Sequence, residues 1–227
     1  MHNWIYAIIL GIAGLTRLSY AIRDAVRDRR RAQLVRGVTR VSIAAAGEGQ
    51  ATCVVGTIVG ALPLIAPFTG RPCVYWTAEI EERVGNAFET WRNVVPRETS
   101  ARTACTIEDG SGRAIVELDG AEIAIDRSGG LRVQDIGADM TTAREWLQRR
   151  GLAERGLFIK RRYRFIEGAL TADDPIAVVG VGVHEPDRDG RPRERGYRDG
   201  PPTRLRLAST ARHPLFVTDA PDATCEP

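Results

Sequence analysis

The sequence predicts an α+β protein that is predominantly β. The expected domain is an antiparallel sheet with barrel-like or sandwich-like closure and one or two helices, standing behind an N-terminal membrane helix. Three observations carry that expectation. The chain opens with an apolar run, Trp4–Ile22, that holds a single charge, Arg17. From Ala51 onward, alternating segments rich in Val, Ile and Thr recur between Gly- and Asp-containing turns, the pattern of half-buried strands. Only one later segment, around Thr142–Gly151, carries helix punctuation at both ends.

At about 1.5 Å per residue, the first run just spans a hydrocarbon core of roughly 30 Å. Trp4 and Tyr6 at one end and Tyr20 at the other stand where interfacial anchors stand. Arg17 lies one turn from the end, within snorkelling reach of the headgroups. Arg23, Arg27, Arg29, Arg30 and Arg31 follow, an asymmetry that puts the rest of the chain on the cytoplasmic side. No basic residue precedes the run among residues 1–3, and no A-x-A exit follows it, so it does not read as a cleaved signal peptide. The alternative is an amphipathic helix lying on the domain or in the interface. Residues 23–50 read as a basic juxtamembrane segment and linker.

The second uncharged stretch, Ala51–Thr69, contains Gly56, Gly60, Pro63 and Pro67. It reads as a strand followed by a Pro-punctuated loop, not as a membrane span. Further strands are expected at 73–80, 91–95, 103–108, 114–118 and 122–126, with turns at Asp109–Gly112 and Asp119-Gly120. Asp-Gly between alternating runs predicts a hairpin at 119–120. Thr142 and Glu145 form a capping box, Trp146 and Leu147 an apolar face, and Gly151 a stop. Strands resume at 163–168, 176–183, 203–208 and 215–218. Between them, residues 185–202 hold alternating charge, Gly and Pro with almost no hydrophobes and read as an exposed loop. The β-rich domain thus covers residues 51–220, with 221–227 as a tail.

The residue chemistry excludes more than it assigns. Of 32 basic residues all but Lys160 are Arg, against 29 acids, for a net charge of +3. Cys53, Cys73, Cys105 and Cys225 form no C-x-x-C pair, and none of the three His falls at ligand spacing from them, so no zinc module can be assembled. No P-loop, dinucleotide fingerprint, nucleophile elbow or H-E-x-x-H is present. Cys73 has no base nearby in sequence, and a small buried strand Cys is the commoner fate. The Glu79, Glu81, Glu82 run and Asp173-Asp174 read as solvated positions. The Arg clusters lack aromatic partners and are diluted by acids, so nucleic acid is not an expected partner. No metal or cofactor is expected.

The order of landmarks is more specific than any single site. It runs through Gly56, the segment LPLIAPFTGRPCVYW with Pro67, Pro72, Cys73 and Tyr75, then Trp91, then RYRFIEGALTADDPIAVVGVG with Glu167, Leu170 and Gly180. This order resembles the GIDE-type or BAM (beside-a-membrane) domain, the non-RING part of membrane ubiquitin ligases. It looks like a prokaryotic stand-alone form. The resemblance covers about residues 50–220 and implies a β-rich fold beside a membrane, with those nine residues as structural landmarks. Family ligases recruit the conjugating enzyme through a RING, and no RING ligands occur here.

The resulting expectation is a single-pass membrane protein with a cytoplasmic domain. It would contact lipid through residues 4–22 and work as an interaction or scaffold module for an unidentified protein partner, with no catalytic residue of its own. Two alternatives are a ligase-like subunit acting in trans with a separate RING or conjugating enzyme, and a lipid or nucleic-acid binder using the Arg-rich segments.

Overall fold

Alternation decides the architecture of the domain. The computed structural model describes residues 37–84, 90–125, 145–146, 148–151, 163–187 and 202–224. A compact unit begins at Arg40. Within it, β6 (Ala104–Glu108) and β7 (Arg113–Glu117) each bury every second residue, as a strand with one face on a core must.

β1 (Ala51–Val59) pairs antiparallel with β10 (Pro175–Pro186) from Ala51↔Val181 to Thr57↔Pro175, and with β6 from Thr57↔Glu108 to Val59↔Thr106. β6 pairs antiparallel with β7. β7 runs parallel to β11 (Thr203–Leu207), which returns antiparallel to β10. The five strands therefore close a ring, β1-β6-β7-β11-β10 and back to β1. Counted in chain order along the barrel this is 1-2-3-5-4-1 with a parallel 3–5 contact. That is the strand order of the OB fold, a five-stranded Greek-key barrel. Val54, Ile58, Ile107, Val116, Leu205 and Leu207 fill it and are almost wholly buried.

β10 can serve three partners because it is 12 residues long. Its first half also holds β12 (Phe216–Thr218) antiparallel, and β8 (Glu122–Ala124) lies parallel on β12. Gly180 sits where β10 is most crowded. A Cβ there would fall 2.4 Å from Leu215 Cδ1.

Two insertions leave the barrel. The first, between β1 and β6, contributes β2 (Leu64–Ile65), β3 (Pro72–Cys73), β4 (Tyr75–Val84) and β5 (Thr90–Ala101). The second, between β7 and β10, contributes β8 and β9 (Tyr163–Leu170). β4 pairs antiparallel with both β5 and β9, so a three-stranded sheet is built from both insertions. Its own core joins Ile80, Val95 and Phe165 to Phe68 and Trp146. The register of β4 on β5 shifts between Ala78 and Ile80 and again between Ile80 and Glu81. Pro96 lies in the first of these bulges, where a residue without an N–H is tolerated.

Residues 40–50 belong to the domain and are not a linker. Val41 N–H donates to Cys53 O at 2.9 Å, and Ile43, 1% exposed, plugs into the barrel core. The Asp109 carboxylate holds the Ile43 N–H at 2.7 Å as well as the N–H groups of Ser111 and Gly112.

Several sequence expectations need correction. The described chain is a β domain and not α+β. Its helix amounts to one 3₁₀ turn (Ile43–Ala45), helical residues within 145–150, and one turn at Pro221–Thr224. Gly151, with φ 66°, does end the second of these, while residues 142–144 lie outside the described residues. Asp119-Gly120 makes a turn, with Ala121 N–H on Leu118 O at 3.2 Å, but no hairpin. The free edge of β7 is taken by β11, and β8 pairs with β12.

The membrane layout is corrected too. Among the described residues no helix is long and apolar enough to cross a membrane. The expected single-pass, cytoplasm-facing layout behind an N-terminal membrane helix is therefore not supported, and what the described chain forms is a β domain. Where the described chain is apolar, its hydrophobes serve strands, as the uncharged stretch from Ala51 shows by forming β1 and β2. Residues 4–22, with Trp4, and the orienting Arg23, Arg27, Arg29, Arg30 and Arg31 lie outside the described residues.

Candidate interaction site

Six of the nine landmark residues meet at one joint between the barrel and the small sheet. The joint is the β2–β3 hairpin, in which Leu64 faces Cys73 and Ile65 faces Pro72. Its loop is tightened by Ala66 N–H on Arg71 O at 2.9 Å and Gly70 N–H on Ala66 O at 3.0 Å. Gly70 takes φ 68°, a conformation that costs a residue with a Cβ about 1 kcal/mol or more.

A hairpin this short needs support from outside, and two side chains supply it. Phe68 is buried edge-on against Trp146 and Phe165, with ring centroids 5.1 and 5.2 Å away. Glu167 of β9, 3% exposed, accepts the Phe68 N–H at 2.6 Å, the Thr69 N–H at 3.3 Å and the Thr69 hydroxyl at 2.5 Å. The carboxylate thus has donors on both oxygens, the kind of pairing that burying a charge requires. Arg71 Nε then donates to Thr69 Oγ1 at 3.3 Å, linking the surface to the buried clasp.

Pro67 and Pro72 bracket this loop. Cys73 follows, fully buried. Burial first, and then the Glu167 carboxylate, push its thiol up to about 11, against smaller opposing effects of Arg71 and the Tyr75 backbone. Tyr75 opposes Leu170 in the sheet register, and Val74 N–H donates to Leu170 O at 2.9 Å. Tyr75 and Leu170 thus anchor the joint in the barrel core.

The other three landmarks lie elsewhere. Gly56 and Gly180 are barrel residues on β1 and β10. A Cβ on Gly56 would meet Glu108 O at 3.1 Å. Trp91 lies at the far end of the small sheet, under the Arg164 guanidinium at 4.8 Å.

Sequence reasoning gives no role to Phe68 and Thr69, which the aromatic pocket and Glu167 hold, or to Arg71, which donates to Thr69. The available signal was one aromatic residue between Pro67 and Gly70 in an otherwise aliphatic loop. It also read Glu79 and Glu82 as solvated, and both are buried. Glu79 lies 3.7 Å from Arg97, and Glu82 is 3.2 Å from Arg92. Desolvation raises the Glu79 carboxyl above its ordinary range, with Arg97 pulling it back in part.

The three described cysteines are buried, and Cys225 lies outside the described residues. Burial raises the thiols of Cys53, Cys73 and Cys105, the last to about 12. His184 Nε2 sits 2.8 Å from Ala46 O, just after the Ile43–Ala45 turn, and His213 is in a turn closed onto Thr210. Among the described residues no cluster of ligands could hold a metal.

The barrel wall formed by β6, β7 and β11 is where OB folds take oligonucleotides. Its outward residues include Thr106, Glu108, Arg113, Ile115, Glu117 and Arg206, none of them aromatic. Arg113 pairs with Glu108 at 2.7 Å, and Arg206 Nε with Glu117 at 2.9 Å. These described wall residues offer no ring for a base to stack on, and their cations are engaged. The Arg-rich residues 188–201 lie outside the described residues. No family model, no curated protein and no solved structure matches this chain.

Proposed function

We propose that the domain is a non-catalytic protein-interaction module, as expected where the landmark residues are structural and carry no reaction chemistry, and that its contact element is the β2–β3 hairpin. One observation carries the reading. A hairpin with an exposed Ile65 is held from beneath by a buried carboxylate that accepts three hydrogen bonds from its loop, and by an aromatic pin. A loop fixed in advance loses little entropy on binding, and that saving goes directly into affinity. A thiol with a raised titration point and a clasped carboxylate offer little to a reaction but much to a rigid joint.

Photo-crosslinking tests the reading. A benzophenone residue replaces Ile65 in the full-length protein, and in a second variant it replaces Asp119, on a barrel turn. A discrete protein adduct is expected at position 65, absent at position 119, and lost when Glu167→Ala releases the hairpin. No adduct at 65, or the same adducts from both positions, would reject the hairpin as contact element.

A further inference from the structure

We infer that the β2–β3 hairpin receives an acidic, Leu- or Ile-bearing segment of the partner protein, with Ile65 and Pro72 as the apolar contact and Arg71 and Arg102 as the carboxylate receptors. This inference rests on the interaction role proposed above and adds the chemistry of the partner.

The argument starts from where the arginines are engaged. On the barrel wall Arg204 and Arg206 hold Glu185, and on the small sheet Arg92 holds Glu82 and Arg164 holds Glu81. Arg71 and Arg102 are both exposed, and among the described residues neither has a carboxylate partner. Arg71 commits only Nε, to the Thr69 hydroxyl, out of the five donors of a guanidinium. Arg102 is brought to the same place by its backbone, whose N–H donates to Val74 O at 2.8 Å. Three residues of strand separate Arg71 from Val74, about 10 Å. The backbone positions that carry the two guanidiniums therefore stand at the two ends of β3.

Between them lies the apolar part. Ile65 is 58% exposed and opposes Pro72, which is exposed as well. A lone surface Ile is unremarkable. This one sits on a clasped hairpin flanked by two exposed arginines with no carboxylate partner among the described residues, the residue type enriched at binding hot spots and able to grip a carboxylate with two parallel hydrogen bonds. Charge complementarity then selects an acidic segment. The apolar pair selects a hydrophobic residue within it, and the rigid backbone fixes their spacing.

The test is an NMR titration of the full-length protein with a short acetylated peptide of Asp, Glu and Leu, and with a control in which Lys replaces the acids. Saturable shifts are expected at the Ile65 methyls and the Arg71 and Arg102 Nε–H groups. Each of Arg71→Ala and Arg102→Ala should weaken binding about tenfold, the loss of one charge-assisted pair. Arg212→Ala, at an exposed turn of the barrel, should leave it unchanged. Unchanged melting temperatures would show that the variants fold. The inference is overturned if millimolar acidic peptide moves none of these signals, if the Lys peptide moves them equally, or if R71A/R102A binds undiminished. It is also overturned if phosphatidylglycerol vesicles engage the same residues more strongly, which would make the receptor one for lipid headgroups. A crosslink at position 65 that survives R71A/R102A would sink the acidic chemistry and leave the interaction role standing.

Discussion

Removing the Glu167 carboxylate should uncouple the hairpin and cost a large part of the domain's stability. Three donors from residues 98 and 99 positions away converge on it, two of them at 2.6 and 2.5 Å. Hydrogen bonds to a charged group contribute about 1.5–3 kcal/mol each. In Glu167→Ala the Phe68 N–H and the Thr69 hydroxyl also lose their partner in a buried site, at about 1–3 kcal/mol apiece if water cannot reach them. Relief from burying a charge offsets part of this, so a net loss of about 3–5 kcal/mol is expected. In a domain of this size that lowers Tm by about 6–20 °C. Glu167→Gln keeps one acceptor oxygen and should lose about half as much. Urea denaturation gives the magnitude, and hydrogen exchange gives the place. The Phe68 and Thr69 amides should lose protection before Val54 and Val178 of the barrel do. A loss below about 1 kcal/mol for Glu167→Ala, or deprotection spread evenly over the barrel, would refute the clasp.

Four other outcomes follow from the same structure. Partial burial raises the Asp109 carboxyl, but the hydrogen bonds from Ile43 N–H, the Ser111 hydroxyl and the N–H groups of Gly112 and Ser111 outweigh it and hold the group below its ordinary 3.8. Its contribution is therefore complete above that value and lost as pH falls through the depressed one. Asp109→Ala should cost about 1–2 kcal/mol at pH 7, and the gap from wild type should close in acid melts. Glu79 has the opposite sign. Its folded value lies above the ordinary 4.5, so stability falls as pH rises from there through the raised value, and Glu79→Gln should flatten the stability–pH curve over that interval. Gly180→Ala should cost about 1–3 kcal/mol by overpacking Leu215, less in a background where Leu215→Ala has opened the space, as a double-mutant cycle would show. Iodoacetamide at pH 8 should leave Cys53, Cys73 and Cys105 unmodified until denaturant is added, and mass spectrometry of the labelled peptides reads this directly.

How far the sequence could be read depends on the distance over which each feature is decided. Strand existence is local: β6 and β7 follow from alternation between turns, and β1 and β10 from apolar runs rich in Val and Ile. Pairing is not local. The Asp119-Gly120 turn forms as its two residues dictate, with Gly120 at φ 71°, yet the strands on either side separate because β11 and β12 offer them other edges. The same holds for Glu79 and Glu82. Their burial depends on bulges in β5 that shift its register on β4 near Arg92 and Arg97, and no spacing within the acidic run announces that.

The clasp is the extreme case. Glu167 stands in the second insertion and its donors in the first, so neither segment by itself contains a reason for a buried carboxylate. Closing a long insertion costs little beyond a short one, only about 0.6 kcal/mol per doubling of length. A barrel can therefore carry two insertions, but their ends then need something to hold them together. β4 gives one tie, pairing with β9 along eight residues from Tyr75↔Leu170 to Glu82↔Tyr163. Glu167 gives the second, reaching past the sheet to the hairpin. Six of the nine landmarks concentrate where these ties cross, and only Gly56, Gly180 and Trp91 stand apart. A joint of that kind specifies geometry and not chemistry. It holds Ile65, Pro72 and Arg71 on a hairpin whose loop is tied to the buried Glu167 carboxylate, the fixed geometry on which the proposed contact rests.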